Sequence, residues 1–135
     1  MLDVTGINFI AVAVVWLVYM IVGAFWYSPA GFAKMWTKYT GIDIMKIPNH
    51  KATKILVSVA VSSLVQALTL ALVMNSLQVT EPLQAIMVAL VLWLGLTTAT
   101  TVGVTLYSQR SWWFLWLNSA YFLIVMVLGS LILTV

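Results

Sequence analysis

The sequence has no cysteine and very little charge. Only 7% of its 135 residues are charged, six Lys or Arg against three Asp or Glu, whereas soluble domains carry roughly 25%. Nine charges cannot cover a water-facing surface, so a soluble globular fold is excluded. Intrinsic disorder is excluded because 64% of the residues are hydrophobic. The lack of cysteine excludes disulfides, thiolate metal sites and cysteine nucleophiles.

Groups that could catalyse a reaction or hold a metal are also scarce. The single histidine, His50, lies beside Lys51 and has no carboxylate cluster around it, so we expect no metal site and no cofactor. The serines and threonines of the apolar segments have no neighbouring base, so we expect no catalytic residue and no enzyme. The net charge of +3 predicts attraction to membrane lipids with anionic headgroups rather than to nucleic acid.

Long apolar runs dominate what is present. A helix needs about 20 apolar residues to cross the hydrocarbon core of a bilayer, and four runs meet that length: 7–27, 55–77, 83–107 and 112–135. None has a charged residue well inside it, which argues against the intramembrane carboxylates of proton-coupled pumps. Ser28-Pro29 ends the first run and Glu81-Pro82 separates the second from the third. We predict an all-α fold, a bundle of four transmembrane helices forming one domain over residues 1–135.

The basic residues predict how the bundle is oriented. If the runs alternate in direction, loop 28–54 and the short loop at Arg110 fall on one side, and together they hold all six basic residues. The positive-inside rule places this side in the cytoplasm. We therefore expect a multi-pass protein of the bacterial plasma membrane with its main loop cytoplasmic and both termini outside.

Loop 28–54 contains a helical pattern of its own. Its apolar side chains recur at helical spacing, and its first two lysines lie on another face: Phe32, Met35, Trp36 and Tyr39, against Lys34 and Lys38. This pattern is typical of a short amphipathic helix in the headgroup layer, with both lysines on lipid headgroups. A plain connector between spans and a lipid-sensing element both fit, and the connector is the simpler interpretation. Asn49 is a candidate cap for the second span.

The first, second and fourth apolar runs each have one polar or small face when their residues are placed at 100° intervals. These faces are Asn8, Tyr19, Gly23 and Trp26 in the first run, Ser58, Ser62, Gln66, Thr69 and Ser76 in the second, and Asn118, Tyr121, Val125 and Gly129 in the fourth. The third run has two such faces. Gly95, Ala99 and Gly103 form a stripe that permits close helix packing, and Thr97, Thr101 and Thr105 lie roughly opposite. Two faces that avoid lipid predict one contact within the protomer and one with a second copy, hence a homo-oligomer.

The polar faces have two interpretations, helix packing or a path for a small solute. The candidate residues for either are Gln66, Thr101, Asn118, Tyr121 and Tyr19. Gly23 of the first run is a further candidate for helix packing, in addition to Gly95, Ala99 and Gly103 of the third. An amide deep in lipid needs a hydrogen-bond partner. Two functions follow: an oligomeric passive pathway, whether channel or transporter, or a structural or lipid-interacting protein without transport.

An internal echo appears when the sequence is shifted by 80 residues. Val22-Gly23 then meets Val102-Gly103, and Tyr27-Ser28 meets Tyr107-Ser108. A true repeat of this kind would be parallel, with its axis along the membrane normal. Coincidence in a sequence of narrow composition is the alternative.

Several motifs also resemble those of a known family. Asn8, then Gly23-Ala24-Phe25 followed by Trp26, Tyr27, Ser28 and Pro29, and then Lys34 and Trp36, stand in its N-terminal pattern. Trp93-Leu94-Gly95 resembles its third span, and Arg110 with Asn118 and Tyr121 resembles its closing pattern. The chain is identified on these motifs as a member of the bacterial membrane family known as domain of unknown function 1761.

The resemblance implies four spans and a plasma-membrane location, and it implies no activity. This chain departs from the family pattern at two places. Ser108-Gln109 stand where an acidic residue often precedes the arginine, and Phe122 stands where a histidine often follows the tyrosine. If those residues carry the family's activity, this chain lacks it.

Overall fold

A computed structural model describes all 135 residues, and they form helices without strands. In chain order they are α1 (Phe9–Trp26), α2 (Ala33–Thr40), a 3₁₀ turn (Ile44–Lys46), α3 (Asn49–Ser76), α4 (Pro82–Leu92), a π-helical segment (Trp93–Thr98), α5 (Ala99–Tyr107) and α6 (Trp112–Leu133). Four helices are long and apolar enough to cross a membrane, because α4, the π segment and α5 run on as one helix. The predicted all-α fold with four spans is confirmed, and α2 is the short helix expected between the first two.

The helix ends follow from a few local residues. The Asn8 side chain accepts hydrogen bonds from the backbone N–H of Ile10 and Ala11 at 3.1 and 3.2 Å, so it caps α1. The cap expected at Asn49 is wrong. Asn49 is already the first helical residue, after Pro48, and no side chain caps this end. The proline ring fixes φ at the residue before the helix, and α3 starts at Asn49, one residue earlier than a cap at that position predicts.

Helix α6 is the centre of the bundle. It packs against α1, α3, α4, α5 and the π segment, and 44% of its most apolar stretch is buried, against 17–22% in the other spans. Tyr19 and Val15 of α1, Ala67 of α3 and Val125 of α6 are almost wholly buried in the main apolar core. The third span packs mainly on α6, so the bundle is not a symmetrical ring.

At each end of the bundle, side-chain hydrogen bonds join segments that are far apart in the chain. At one end the Arg110 guanidinium donates to the carbonyl oxygen of Thr40 at 2.9 Å, which joins the last loop to the end of α2. At the other, the Asn75 amide donates to the carbonyl oxygens of Asp3 and Thr5, both at 2.7 Å. The end with loop 28–54 and Arg110 is called the basic end below, and the other is the opposite end.

The two halves of the internal echo lie in different surroundings. Tyr27 is half-buried and hydrogen-bonded, whereas its counterpart Tyr107 is 91% exposed. A Cβ on Gly23 would lie 3.0 Å from the Tyr121 hydroxyl, whereas one on Gly103 would meet nothing within 4 Å. The matching residues therefore have different surroundings and different contacts in this fold.

Candidate functional site

The Trp-Tyr-Ser-Pro motif turns the chain from α1 into α2. The Phe32 N–H donates back to the Trp26 carbonyl oxygen at 2.7 Å, and the Gly31 N–H donates to that of Ser28 at 2.9 Å. A Cβ on Gly31 would lie 2.2 Å from the Phe25 carbonyl oxygen. Only glycine fits this turn, because the obstructing atoms are backbone.

The turn places its aromatic residues against α6. We call the group formed by Trp26, Tyr27, Phe32, Asn118 and Tyr121 the aromatic–amide cluster. The Trp26 ring lies 4.4 Å from Phe32 and 6.3 Å from Tyr121, and the Tyr27 and Tyr121 rings lie 5.7 Å apart, between centroids. Such tilted and edge-on pairs are favourable packing arrangements for aromatic rings. The Trp26 indole Nε1 is buried there without a hydrogen-bond partner.

Hydrogen bonds satisfy most of the other polar groups in the cluster. The Tyr27 hydroxyl donates to Asn118 Oδ1 at 2.6 Å, and Asn118 Nδ2 donates to the Phe114 carbonyl oxygen at 3.2 Å. The Tyr121 hydroxyl donates to the Tyr19 carbonyl oxygen at 3.0 Å. Chemically the cluster offers hydroxyls and an amide already bonded to one another. It is built to hold α1 on α6.

Removing the Tyr27–Asn118 bond should destabilise the protein by a small, measurable amount. In a double-mutant cycle of Tyr27→Phe and Asn118→Leu, we expect a coupling free energy of about 0.6 kcal/mol, the average for hydrogen bonds between membrane helices, and no more than about 1.7 kcal/mol, the largest such value. Unfolding with a denaturing detergent, followed by tryptophan fluorescence, measures it. Tyr107→Phe is the matched control, because that ring is exposed. A coupling energy near zero would contradict the role assigned to this bond.

The polar stripe of α3 faces away from the bundle. Ser58, Ser62 and Thr69 are exposed and Gln66 is half-buried, whereas Ala67 is fully buried on the opposite face. Gln66 Nε2 donates only to Ser62 Oγ, at 3.4 Å. Small alanine side chains let α3 approach its neighbours closely, so the alanine face packs and the polar face is left outside. We call Ser58, Ser62, Gln66 and Thr69 the α3 polar stripe.

The two stripes of the third span lie on different sides of the helix, one exposed and one facing the bundle. Gly95, Ala99 and Gly103 are all exposed, and a Cβ on either glycine would meet nothing within 4 Å. Thr105 is buried and Thr101 half-buried, so the threonines face inward. The small stripe therefore packs against nothing in the protomer.

The π segment adjusts the third span to α6. The Trp93 indole donates to the Ser119 carbonyl oxygen at 2.7 Å. The Thr101 hydroxyl lies 3.1 and 2.9 Å from the carbonyl oxygens of Thr97 and Thr98, and so provides a donor where the wider turn disturbs the usual ladder. The Thr98 hydroxyl is buried without a partner.

Lys34 and Lys38 are both exposed on α2, whereas Ala33 on the same helix is buried and Trp36 is half-buried. This placement leaves both ammonium groups free to reach lipid headgroups, and such contact stays a prediction.

One cavity shares no residue with the aromatic–amide cluster or the α3 polar stripe, and Asn8 is the one residue of its wall that was singled out in the sequence. It has a volume of about 370 Å³ at the opposite end of the bundle, and its wall includes Asp3, Asn8, Asn75 and Gln78. The sequence did not predict it because its walls come from three separate parts of the chain, 3–8, 71–80 and Leu133. The only signal was polar residues at the ends of the runs, a common feature of membrane helices.

The sequence matches a known protein family. Residues 10–134 match the family described as "Protein of unknown function (DUF1761)". The chain belongs to this family. The match confirms the resemblance drawn from the motifs, and it covers all four spans. No curated protein and no solved structure matches the chain.

Membership gives the site residues a shared context but no established role. Within this member of the family, the Trp-Tyr-Ser-Pro turn and the closing Asn118 and Tyr121 meet in one aromatic–amide cluster. Residues more than 90 positions apart in the chain thus form one structural unit.

Proposed function

We propose that the protein forms a homo-oligomer in which several copies enclose a passive path for a small uncharged solute. The observation that carries this proposal is the outward-facing α3 polar stripe. It lies on a helix that is apolar enough to span a membrane, so in a lone protomer its amide and hydroxyls would face lipid. The hydroxyls of Ser58 and Thr69 donate to carbonyl oxygens of α3 itself, but the Gln66 amide donates only to Ser62 and accepts no hydrogen bond. Burying such an incompletely paired amide in lipid is costly, and neighbouring copies would supply polar partners or water.

A path through a single protomer has little support. Asn118 accepts from the Tyr27 hydroxyl and donates to the Phe114 carbonyl oxygen, and Thr101 bonds to its own helix. Gln66 faces outward on α3 and bonds to Ser62. No hydrogen bond joins these three candidates, so a polar path is more reasonably placed between copies, with the exposed stripe of Gly95, Ala99 and Gly103 as a packing surface.

The chemistry of the stripe favours an uncharged solute. It offers hydroxyls and one amide, and the spans hold no charged residue in their middle parts. Selection would then rest on pore width and hydrogen bonding, without titration or catalysis. In this proposal the basic end faces the cytoplasm and both termini lie outside the plasma membrane, following the positive-inside rule.

A flux measurement tests the proposal. Reconstituted liposomes should take up glycerol faster than protein-free liposomes, and Gln66→Leu should slow this protein-dependent uptake about tenfold, because one hydrogen bond of about 1 to 1.5 kcal/mol is lost along the path. Light scattering after an osmotic step measures the rate. Gln84→Leu is the matched control, since Gln84 is exposed in the first turn of α4.

Uptake equal to that of protein-free liposomes would reject the pathway. Equal slowing by both variants would show that the α3 polar stripe is not the path. Chemical crosslinking of the same liposomes should trap dimers or larger species, and a protein that stays monomeric would also reject the proposal.

A structural or lipid-interacting role is the second candidate. It is favoured by the aromatic–amide cluster, whose hydrogen bonds join α1 and the turn that follows it to α6. The basic end adds exposed Lys34, Lys38, Trp112, Trp113 and Trp116, a combination typical of contact with anionic headgroups. Copies that crosslink but conduct no glycerol would support this role.

A further inference from the structure

The cavity at the opposite end is half-open, and its volume falls within the range of small-molecule sites. Small-molecule sites measure about 300 to 1,000 Å³ and combine apolar walls with a few convergent polar groups. Here the N-terminal segment contributes Asp3, the end of α3 contributes Asn75, and Met74 and Leu133 provide apolar surface. The volume is about 370 Å³, enough for a molecule with a polar head and a short apolar body.

Hydrogen bonds within the protein fix which polar groups are left for a ligand. The Asn75 amide nitrogen donates to two carbonyl oxygens, those of Asp3 and Thr5, so its Oδ1 lacks a donor. Asp3 Oδ1 accepts from the N–H and the hydroxyl of Thr5, at 2.9 and 2.5 Å, and Oδ2 is left. Asp3 Oδ2 and Asn75 Oδ1 are therefore acceptors without a protein partner. The wall also holds the Gln78 amide and the Thr80 hydroxyl, which are uncharged and offer a cation no comparable attraction.

The charge of the cavity has one sign. Asp3 is the only charged side chain in its wall, and all six basic residues lie at the basic end or in the first turns of α3. Hydrogen bonds from the Thr5 hydroxyl and N–H hold the pKa of the Asp3 carboxyl below its usual 3.8. The carboxylate is therefore ionised at neutral pH and has no cationic partner.

We propose that this cavity binds a small organic ammonium ion. Its N–H groups would donate to Asp3 Oδ2 and Asn75 Oδ1, and its hydrocarbon part would rest on Met74 and Leu133. A charge-assisted hydrogen bond is about twice as strong as a neutral one, which favours an ammonium over an alcohol of the same shape. A bare metal ion fits less well, because half of the wall is apolar and Ca²⁺ takes six to eight oxygen ligands. The site belongs to a single protomer and does not depend on the proposed pathway.

Binding of two probes of equal shape tests this site. Cyclohexylammonium and cyclohexanol are titrated into the full chain in lipid nanodiscs, with empty nanodiscs as reference, and saturation-transfer NMR gives the dissociation constants. We expect the ammonium to bind more tightly than the alcohol. Asp3→Asn should weaken ammonium binding about tenfold, because a charge-assisted hydrogen bond is lost, and leave binding of the alcohol unchanged.

Glu81→Gln is the matched control, because it removes the same charge at the same end from an exposed residue outside the cavity wall. Equal weakening by both variants would overturn the proposal, since general surface charge would then explain it. Equal binding of the two probes, or binding no greater than in empty nanodiscs, would also overturn it. If Asp3→Asn fails to fold, Thr80→Trp serves instead, since Thr80 is exposed in the wall, and an indole there should block both probes.

Discussion

Replacing Gly31 with alanine is expected to prevent the protein from folding stably. The new Cβ would lie 2.2 Å from the Phe25 carbonyl oxygen and 2.8 Å from that of Trp26. Both are backbone atoms at the end of α1, so no side-chain rotation can relieve the contact. The turn would have to open and release the Phe32 N–H from Trp26. We expect a loss of at least about 3 kcal/mol.

The loss of stability extends beyond the turn, because the turn positions part of the aromatic–amide cluster. If the turn opens, Phe32 leaves the Trp26 ring, and α2 loses its position at the basic end. The yield of monodisperse protein in gel filtration and the melting temperature by circular dichroism measure the effect. Gly95→Ala is the control, because its Cβ meets nothing within 4 Å. A Gly31→Ala protein that melts as the wild type does would show that the turn is not as tight as described.

Replacing Gly129 with leucine is the second substitution with a large expected effect. Gly129 lies on α6 where α1 and α3 both approach it. A Cβ alone would lie 3.0 Å from Val15 Cγ1, 3.2 Å from Leu70 Cδ2 and 3.3 Å from Tyr19 Cε1. Val15 and Tyr19 are themselves buried, so they have no space to move into. Overpacking a filled core costs about 1 to 3 kcal/mol and occasionally more, and we expect about 3 kcal/mol for leucine.

Gly103→Leu isolates the packing effect from that of glycine itself. Both substitutions gain helix propensity by a similar amount, but Gly103 faces open space. Unfolding in a denaturing detergent should therefore separate the two variants by about 3 kcal/mol. Equal stabilities would contradict the three-helix contact described at Gly129.

Gly103→Leu also tests the proposed contact between copies. If the small stripe packs there, this substitution should weaken crosslinking between copies.

Much of the fold could be predicted because membrane helices are defined by simple physical limits. The length and apolar character of the four runs located all four spans, and helical spacing located α2. The same periodicity predicted the inner face of α6, since Tyr121, Val125 and Gly129 are all buried. In these cases the residue type and its spacing leave one solution.

The side of α3 that faces the bundle could not be predicted in the same way. A polar face and an alanine face are both able to pack against another helix in lipid, since neither is favoured by hydrophobic burial there. Contacts with neighbouring helices determine which face of α3 packs. Trp16 of α1 donates to the Ala60 carbonyl oxygen at 3.0 Å, and Gln66 is then left on the outside. The cavity was missed for a related reason, as its lining depends on how distant segments meet.

The π segment has a consequence for the geometry of the whole third span. Inward-facing residues recur there every four positions, from Ala85 and Ala89 to Thr101 and Thr105. In a regular α-helix each step of four advances by about 40° beyond a full turn, so such a series would drift round to the far side. Over the five steps from Ala85 to Thr105 the drift would come to about 200°. The wider turn of Trp93–Thr98 accommodates one added residue and so takes back about 100° of it. This partial phase correction lets residues of both halves of the third span face α6.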